Sequence, residues 1–117
     1  MEDRPREGLA ATVLAFDATL RRGEVDLALA SFAKDGVLLV PSRPPLVGTT
    51  AMRPDLAALA ERLADFPAGR PEVLVDGVRV IALVDDATAT HAPVAEVFSL
   101  EGDRIRQLRV LFDTASK

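Results

Sequence analysis

The stretch "LASFAKDGVLLVP", residues 29–41, holds the turn on which the fold depends. It reads as the end of an amphipathic helix, a tight Asp35-Gly36 break, and a buried strand, "VLLV", running into Pro41. Working backward, Val25, Leu29 and Phe32 keep helical spacing in a short second helix. Before it, Leu9, Val13, Phe16 and Leu20 form one apolar stripe of a first helix, which stops near "RRG", where Gly23 suits a C-terminal cap. Working forward, "PSRPPLVGTT" carries prolines at 41, 44 and 45, which remove backbone donors and fix φ. An ordered loop or a short edge strand is expected there. The third helix is placed roughly from Thr50 to Asp65, with Leu56, Leu59, Leu63 and Phe66 as its stripe. Pro54 is tolerable near its start, because first-turn N–H groups lack helical partners.

From Pro71 the pattern turns to strands. "EVLV-DG-VRVIALV" carries the Asp-Gly signature of a tight hairpin, or else of a bulge in one long strand. "DDAT" reads as a second turn, and "ATHAPVAEVFSL" and "RIRQLRVLF" as the last two strands, joined around "EGD". Helices with an early strand, followed by a meander, imply an α+β domain whose helices cover one face of a curved antiparallel sheet.

The 117 residues are 49% hydrophobic and 27% charged, an ordinary balance for one globular domain spanning 1–117. A net charge of −4 and no basic patch argue against nucleic acid. The absence of Cys excludes disulfides, thiolate nucleophiles and Cys-ligated zinc, and there is no Tyr to act as a proton donor. No His/Asp/Glu cluster has metal-ligand spacing. Gly-rich phosphate loops, nucleophile elbows and dinucleotide fingerprints are absent, so no cofactor is implied. "MEDRPREG" has no apolar run after its charges, and no stretch approaches the ~20 apolar residues of a membrane span. A soluble, cytoplasmic protein is the expectation.

Together "FDATLRRGEVDLALASFAKDGVLLVP" (16–41), "PLVGTTAM" (45–52) and "VFSLEGDRIRQLRVLFD" (97–113) resemble the nuclear transport factor 2-like superfamily, most closely its SnoaL-like and ketosteroid isomerase-like branch. The resemblance covers nearly the whole chain. It implies a cone: a bent sheet wrapped by three N-terminal helices and enclosing an apolar pocket, frequently as a homodimer. Carried over residue by residue, the isomerase's general base falls at Val40, which holds no proton. Its oxyanion tyrosine falls at Phe16, which keeps the ring and loses the hydroxyl. Its protonated aspartate falls at Glu96, in "AEVF". The chain is also shorter than the family pattern by about one strand between Ala82 and Phe98. Steroid isomerisation is therefore not expected.

The polar candidates follow from strand and helix geometry. Ala92, Val94, Glu96, Phe98 and Leu100 share one strand face. Turned inward, that face would desolvate Glu96 and raise its pKa, as a general acid or a near-neutral base requires. Turned outward, it leaves Glu96 in water, and a bulge at Pro93 would reset the alternation. His91, the sole histidine, lies on the opposite face and joins Glu96 only across such a bulge. Asp17, beside Phe16, either reaches the pocket mouth or supports the helix by pairing with Arg21. Asp35 serves its turn, and Arg43 either guards the entrance or is solvated loop. On the last strand Arg109 and Asp113 oppose Leu108, Val110 and Phe112; the apolar set is expected inside.

These readings converge on a pocket for a small hydrophobic molecule, walled by Phe16, Phe32, Val40, Leu59, Leu63, Phe98, Leu108, Val110 and Phe112, with Glu96, His91 and Asp17 as candidate catalytic groups. As an enzyme it would be a cofactor-free isomerase, cyclase or epoxide-opening catalyst. The rival reading is a non-catalytic ligand-binding or dimeric interaction protein, with Ala95 and Val97 in a dimer interface. A third is an engineered or minimal member of the fold, kept for stability alone.

Overall fold

A computed structural model describes residues 3–64, 72–84 and 94–112. Helix α1 (Asp3–Arg21) and the short α2 (Val25–Leu29) lead into strand β1 (Phe32–Leu39). The edge strand β2 (Leu46–Val47) precedes α3 (Thr49–Ala64), and four strands follow: β3 (Glu72–Asp76), β4 (Arg79–Val84), β5 (Val94–Glu101) and β6 (Arg104–Phe112). They form one open six-stranded sheet in the order β2-β1-β6-β5-β4-β3. All neighbours are antiparallel except β1 and β6, which run parallel. The β3–β4 and β5–β6 pairs follow from two-residue turns, whereas β1 reaches β6 across the length of the chain.

Both described hairpins use the same chemistry. Asp76 pairs with Arg79 and Glu101 with Arg104, leaving Gly77-Val78 and Gly102-Asp103 as two-residue loops. Each glycine has φ +63°, and glycine at the first central position is what a mirror-type II′ hairpin turn demands. The Asp-Gly signature thus marks a hairpin, with the loop one residue later than the Asp.

The structure corrects the reading of the Asp35-Gly36 break. The second helix ends at Leu29, and Phe32 is a strand residue opposite Ile105, not part of the helical stripe. The strand runs through Asp35-Gly36, and the register slips between Phe32 and Val37, so these residues form a bulge rather than a helix-to-strand turn. Its non-local partner overrides the local turn signal. Gly36 sits buried where a Cβ would meet the Phe32 ring at 3.0 Å, the Ala33 carbonyl at 3.1 Å and the Ile105 carbonyl at 3.2 Å. Its carbonyl also accepts the Gly48 N–H at 2.9 Å, just before α3 begins. Gly36→Ala is expected to lower stability by ~1–3 kcal/mol in urea melts, since two of the three obstructing atoms are backbone.

The apolar stripes meet over one sheet face. From α1 come Val13, Phe16 and Leu20, and from α3 come Met52, Leu56, Leu59, Ala60 and Leu63; all are buried. They pack with inward side chains of β1, β4, β5 and β6 in a single cluster. Among the described residues no helix is long and apolar enough to cross a membrane.

Candidate functional site

Strand alternation decides which way Glu96 points. On β5, Val94, Glu96, Phe98 and Leu100 are buried while Ala95, Val97 and Ser99 are partly exposed, so the first of the two faces considered for Glu96 is the inner one. Cross-strand register places Glu96 between Ala82 of β4 and Val110 of β6, with Val73 of β3 beyond Ala82. The carboxyl is 0% exposed, the one charged member of an otherwise apolar row.

Asp17 reaches the same interior from above. It is 1% exposed, and the charge of Arg21 one helical turn on still acts on it. The reason for its burial is the width of the helix stripe. Counted from Val13, positions i+3, i+4 and i+7 are Phe16, Asp17 and Leu20, so the core-facing band includes the aspartate. That spacing is the signal the sequence offers.

The two carboxyls lie within hydrogen-bonding reach of each other. As two carboxylates they are acceptors only, and all four oxygens then lack a donor. A proton on one converts the clash into an O–H···O bond. Burial holds the Glu96 carboxyl well above the usual carboxylate range, and the negative charge of Asp17 and the bond to it push the same way. Burial also raises Asp17, to about 6, against the lowering effects of its hydrogen bond with Glu96 and of the Arg21 charge. Both carboxyls are thus pushed up by burial, and the pair titrates as one coupled system that keeps a proton toward neutrality.

Aromatic rings flank the pair. Phe16, the neighbour of Asp17, stands edge-on to Phe32 at 5.8 Å and to Phe98 at 5.5 Å between centroids. Leu59, Leu63, Leu108 and Val110 are buried in the same cluster, and half-buried Val40 packs against it. Phe66, His91 and Asp113 lie outside the described residues, as does the Phe112 side chain. Arg109 is exposed on the outer face, opposite buried Leu108 and Val110. Arg43 in the proline-rich loop lies 3.5 Å from Asp55 of α3, an ion pair that ties the loop to the helix.

The described residues line two open surface depressions. One, of about 410 Å³, is lined by Asp35, Val37, Ser99, Arg106 and Gln107 on the outer sheet face; the other, of about 340 Å³, lies between α1 and α3 beside Arg21 and Glu61. Neither is lined by Asp17 or Glu96. Among the described residues no three His, Asp or Glu side chains gather as a metal site would require.

No family model matches the sequence, and no curated protein matches it. Solved structures do. A nuclear transport factor 2-like protein of unknown function from Cytophaga hutchinsonii is similar over 92% of this chain and 91% of its own, at 17% identity and a TM-score of 0.70. A candidate polyketide cyclase from Xanthomonas campestris is similar over 95% and 94%, at 19% identity and 0.71. A de novo designed protein with a curved β-sheet is similar over 96% and 90%, at 18% identity and 0.76. Identities this low speak for the fold alone. Helices over one face of an open six-stranded sheet, shared along nearly the whole chain, give this protein the nuclear transport factor 2-like fold.

Proposed function

We propose that this chain is a small-molecule protein of the SnoaL-like type, catalysing cofactor-free proton transfer on a hydrophobic substrate between α1 and the sheet. The observation that carries the reading is the Asp17–Glu96 pair, two buried carboxyls in an apolar shell with no other hydrogen-bond partner. Glu96 would serve as the acid and Asp17 as the base, their environments setting the two roles apart as acid–base catalysis requires. Isomerisation, aldol-type cyclisation and epoxide opening all use such a pair. The similarity to a candidate polyketide cyclase supports this class of chemistry without naming a substrate.

Ring opening of 5-nitrobenzisoxazole tests the base directly. A base removes the C3 proton, the N–O bond breaks, and the coloured cyanophenolate is released. The rate above buffer is expected to rise through about pH 6, where Asp17 ionises. Asp17→Asn should lower it by ~10²-fold or more, the scale of a lost general base. Equal rates in wild type and variant across that range would sink the catalytic reading.

The dimeric part of the reading rests on the outer sheet face. Register aligns Leu74, Ile81, Val97, Arg109 and Leu39 across five strands, with Leu83, Ala95 and Leu111 in the next row. Leu74 is 63% exposed and Leu111 47%, large apolar side chains that a second copy would cover through a self-complementary two-fold contact. Sedimentation equilibrium should give a dimer, and Leu74→Lys with Leu111→Lys a folded monomer. A monomeric wild type at 100 µM-scale loading, on the order of a weak interface's Kd, would remove this part of the proposal.

A further inference from the structure

The buried pair is short of hydrogen-bond donors, and that shortage selects a ligand. A single shared proton engages one oxygen of each carboxyl and leaves the other oxygen of each without a partner, in a region whose adjacent positions are Ala82, Val110, Phe98 and Phe16. Buried acceptors of this kind are costly until something donates to them. A carbonyl-bearing ligand brings another acceptor and competes for the one proton. A neutral hydrocarbon satisfies nothing. An ammonium group brings three donors and one positive charge, on a stem that the surrounding rings and methyls can hold.

Resting on the reading that a small molecule enters between α1 and the sheet, we infer that the Asp17–Glu96 site takes a primary ammonium ion carried on an apolar group, such as an aryl or alkyl amine. The ammonium hydrogens would go to the two donor-less oxygens, and the apolar part would lie against Phe16 and Phe98. Small Ala82, opposite Glu96, places the least side-chain bulk beside the carboxyl. Of the charged groups on the surrounding elements, Arg21 acts on Asp17, and each carboxyl acts on the other. The cross-strand neighbours of Glu96 are apolar.

The test compares four probes of one shape: benzylamine, benzyl alcohol, toluene and benzoate. Binding to the full chain at pH 7.5 is followed by calorimetry and by the carboxyl-carbon NMR signals of Asp17 and Glu96. Benzylamine is expected to bind at least ten-fold tighter than toluene, to shift both carboxyl signals, and to weaken as pH falls below about 6, where Asp17 takes up a proton. Benzoate should be the weakest of the four. Asp17→Asn with Glu96→Gln should bring benzylamine down to the affinity of toluene; because that variant could fail to fold, the wild-type pH series stands as the second measurement. Toluene binding as tightly as benzylamine, or benzylamine affinity flat from pH 5 to 7.5, would overturn the ammonium assignment and leave the pocket reading standing. If none of the four probes binds, the pocket reading fails and this inference fails with it.

Discussion

Replacing Asp17 by Leu and Glu96 by Met together is expected to raise stability at pH 8 by roughly 3 kcal/mol and to flatten its dependence on pH. Asp17 titrates at about 6 in the folded protein against an ordinary 3.8, so the fold binds its proton more tightly than the unfolded chain does. Stabilisation from such a group is complete below about pH 4 and declines as pH rises through 6. Glu96 is raised too, and extends the decline to higher pH. The wild type should therefore be more stable near pH 4.5 than at pH 8, opposite to proteins whose carboxylates are held by salt bridges. A leucine in place of Asp17 would complete the stripe of Val13, Phe16 and Leu20. A methionine in place of Glu96 would keep the length of the side chain beside Ala82 and Val110. Exchange of buried polar pairs for apolar residues of similar volume commonly gains ~1–4 kcal/mol.

The single substitutions separate the partners. Glu96→Met removes the donor and strands a buried Asp17 charge, so it should destabilise at pH 8. Asp17→Leu leaves Glu96 as a neutral acid and should be much milder. Urea melts of the four proteins at pH 4.5, 6 and 8 decide the matter. A wild type that gains stability from pH 4.5 to 8, or a double variant weaker than wild type at pH 8, would contradict the coupled burial described above.

Much of this arrangement is legible from local pattern, and the exceptions share a cause. The inward face of β5 can be argued from Val94, Phe98 and Leu100, which outweigh Ala95, Val97 and Ser99 in apolar bulk, so Glu96 follows them in. Glycine in "DGVR" and "EGDR" marks both hairpins, because each needs a positive φ at one defined position. Asp17 is harder to place. Its charge argues for solvent, and only the angular width of the α1 band shows that it shares the face of Phe16 and Leu20. The bulge at Asp35-Gly36 escapes a local reading because the residues that pair with the strand on either side of it, Ile105 and Gln107, lie some seventy positions away. The parallel pairing of β1 with β6 is hidden for the same reason. Whether space opens beside Glu96 depends on the summed volumes of side chains from α1, α3 and the sheet, and no local spacing encodes that sum.

Phe16→Ala is the substitution expected to cost most. The helix α1 packs over β3 and β4, and its reach toward β5 is made by side chains: the Phe16 ring against Phe98, beside Asp17 against Glu96. Phe16 is 1% exposed and stands edge-on to two other rings, so its removal deletes both aromatic contacts and the apolar burial of a whole ring. Loss of a buried Phe to Ala costs ~3–5 kcal/mol, a large share of the ~5–15 kcal/mol that holds a domain together. A drop in melting temperature of more than about ten degrees should follow at this chain length. Phe16→Leu, which refills much of the volume, should recover more than half of the loss. The void left by Ala lies beside the carboxyl pair, so toluene should restore part of the stability of Phe16→Ala more strongly than it stabilises the wild type. Thermal melts of the three proteins with and without toluene check both effects. A loss below ~1 kcal/mol would mean that the Phe16 ring does not bridge helix and sheet. Equal responses to toluene would mean that the space it vacates collapses rather than opening beside Asp17 and Glu96.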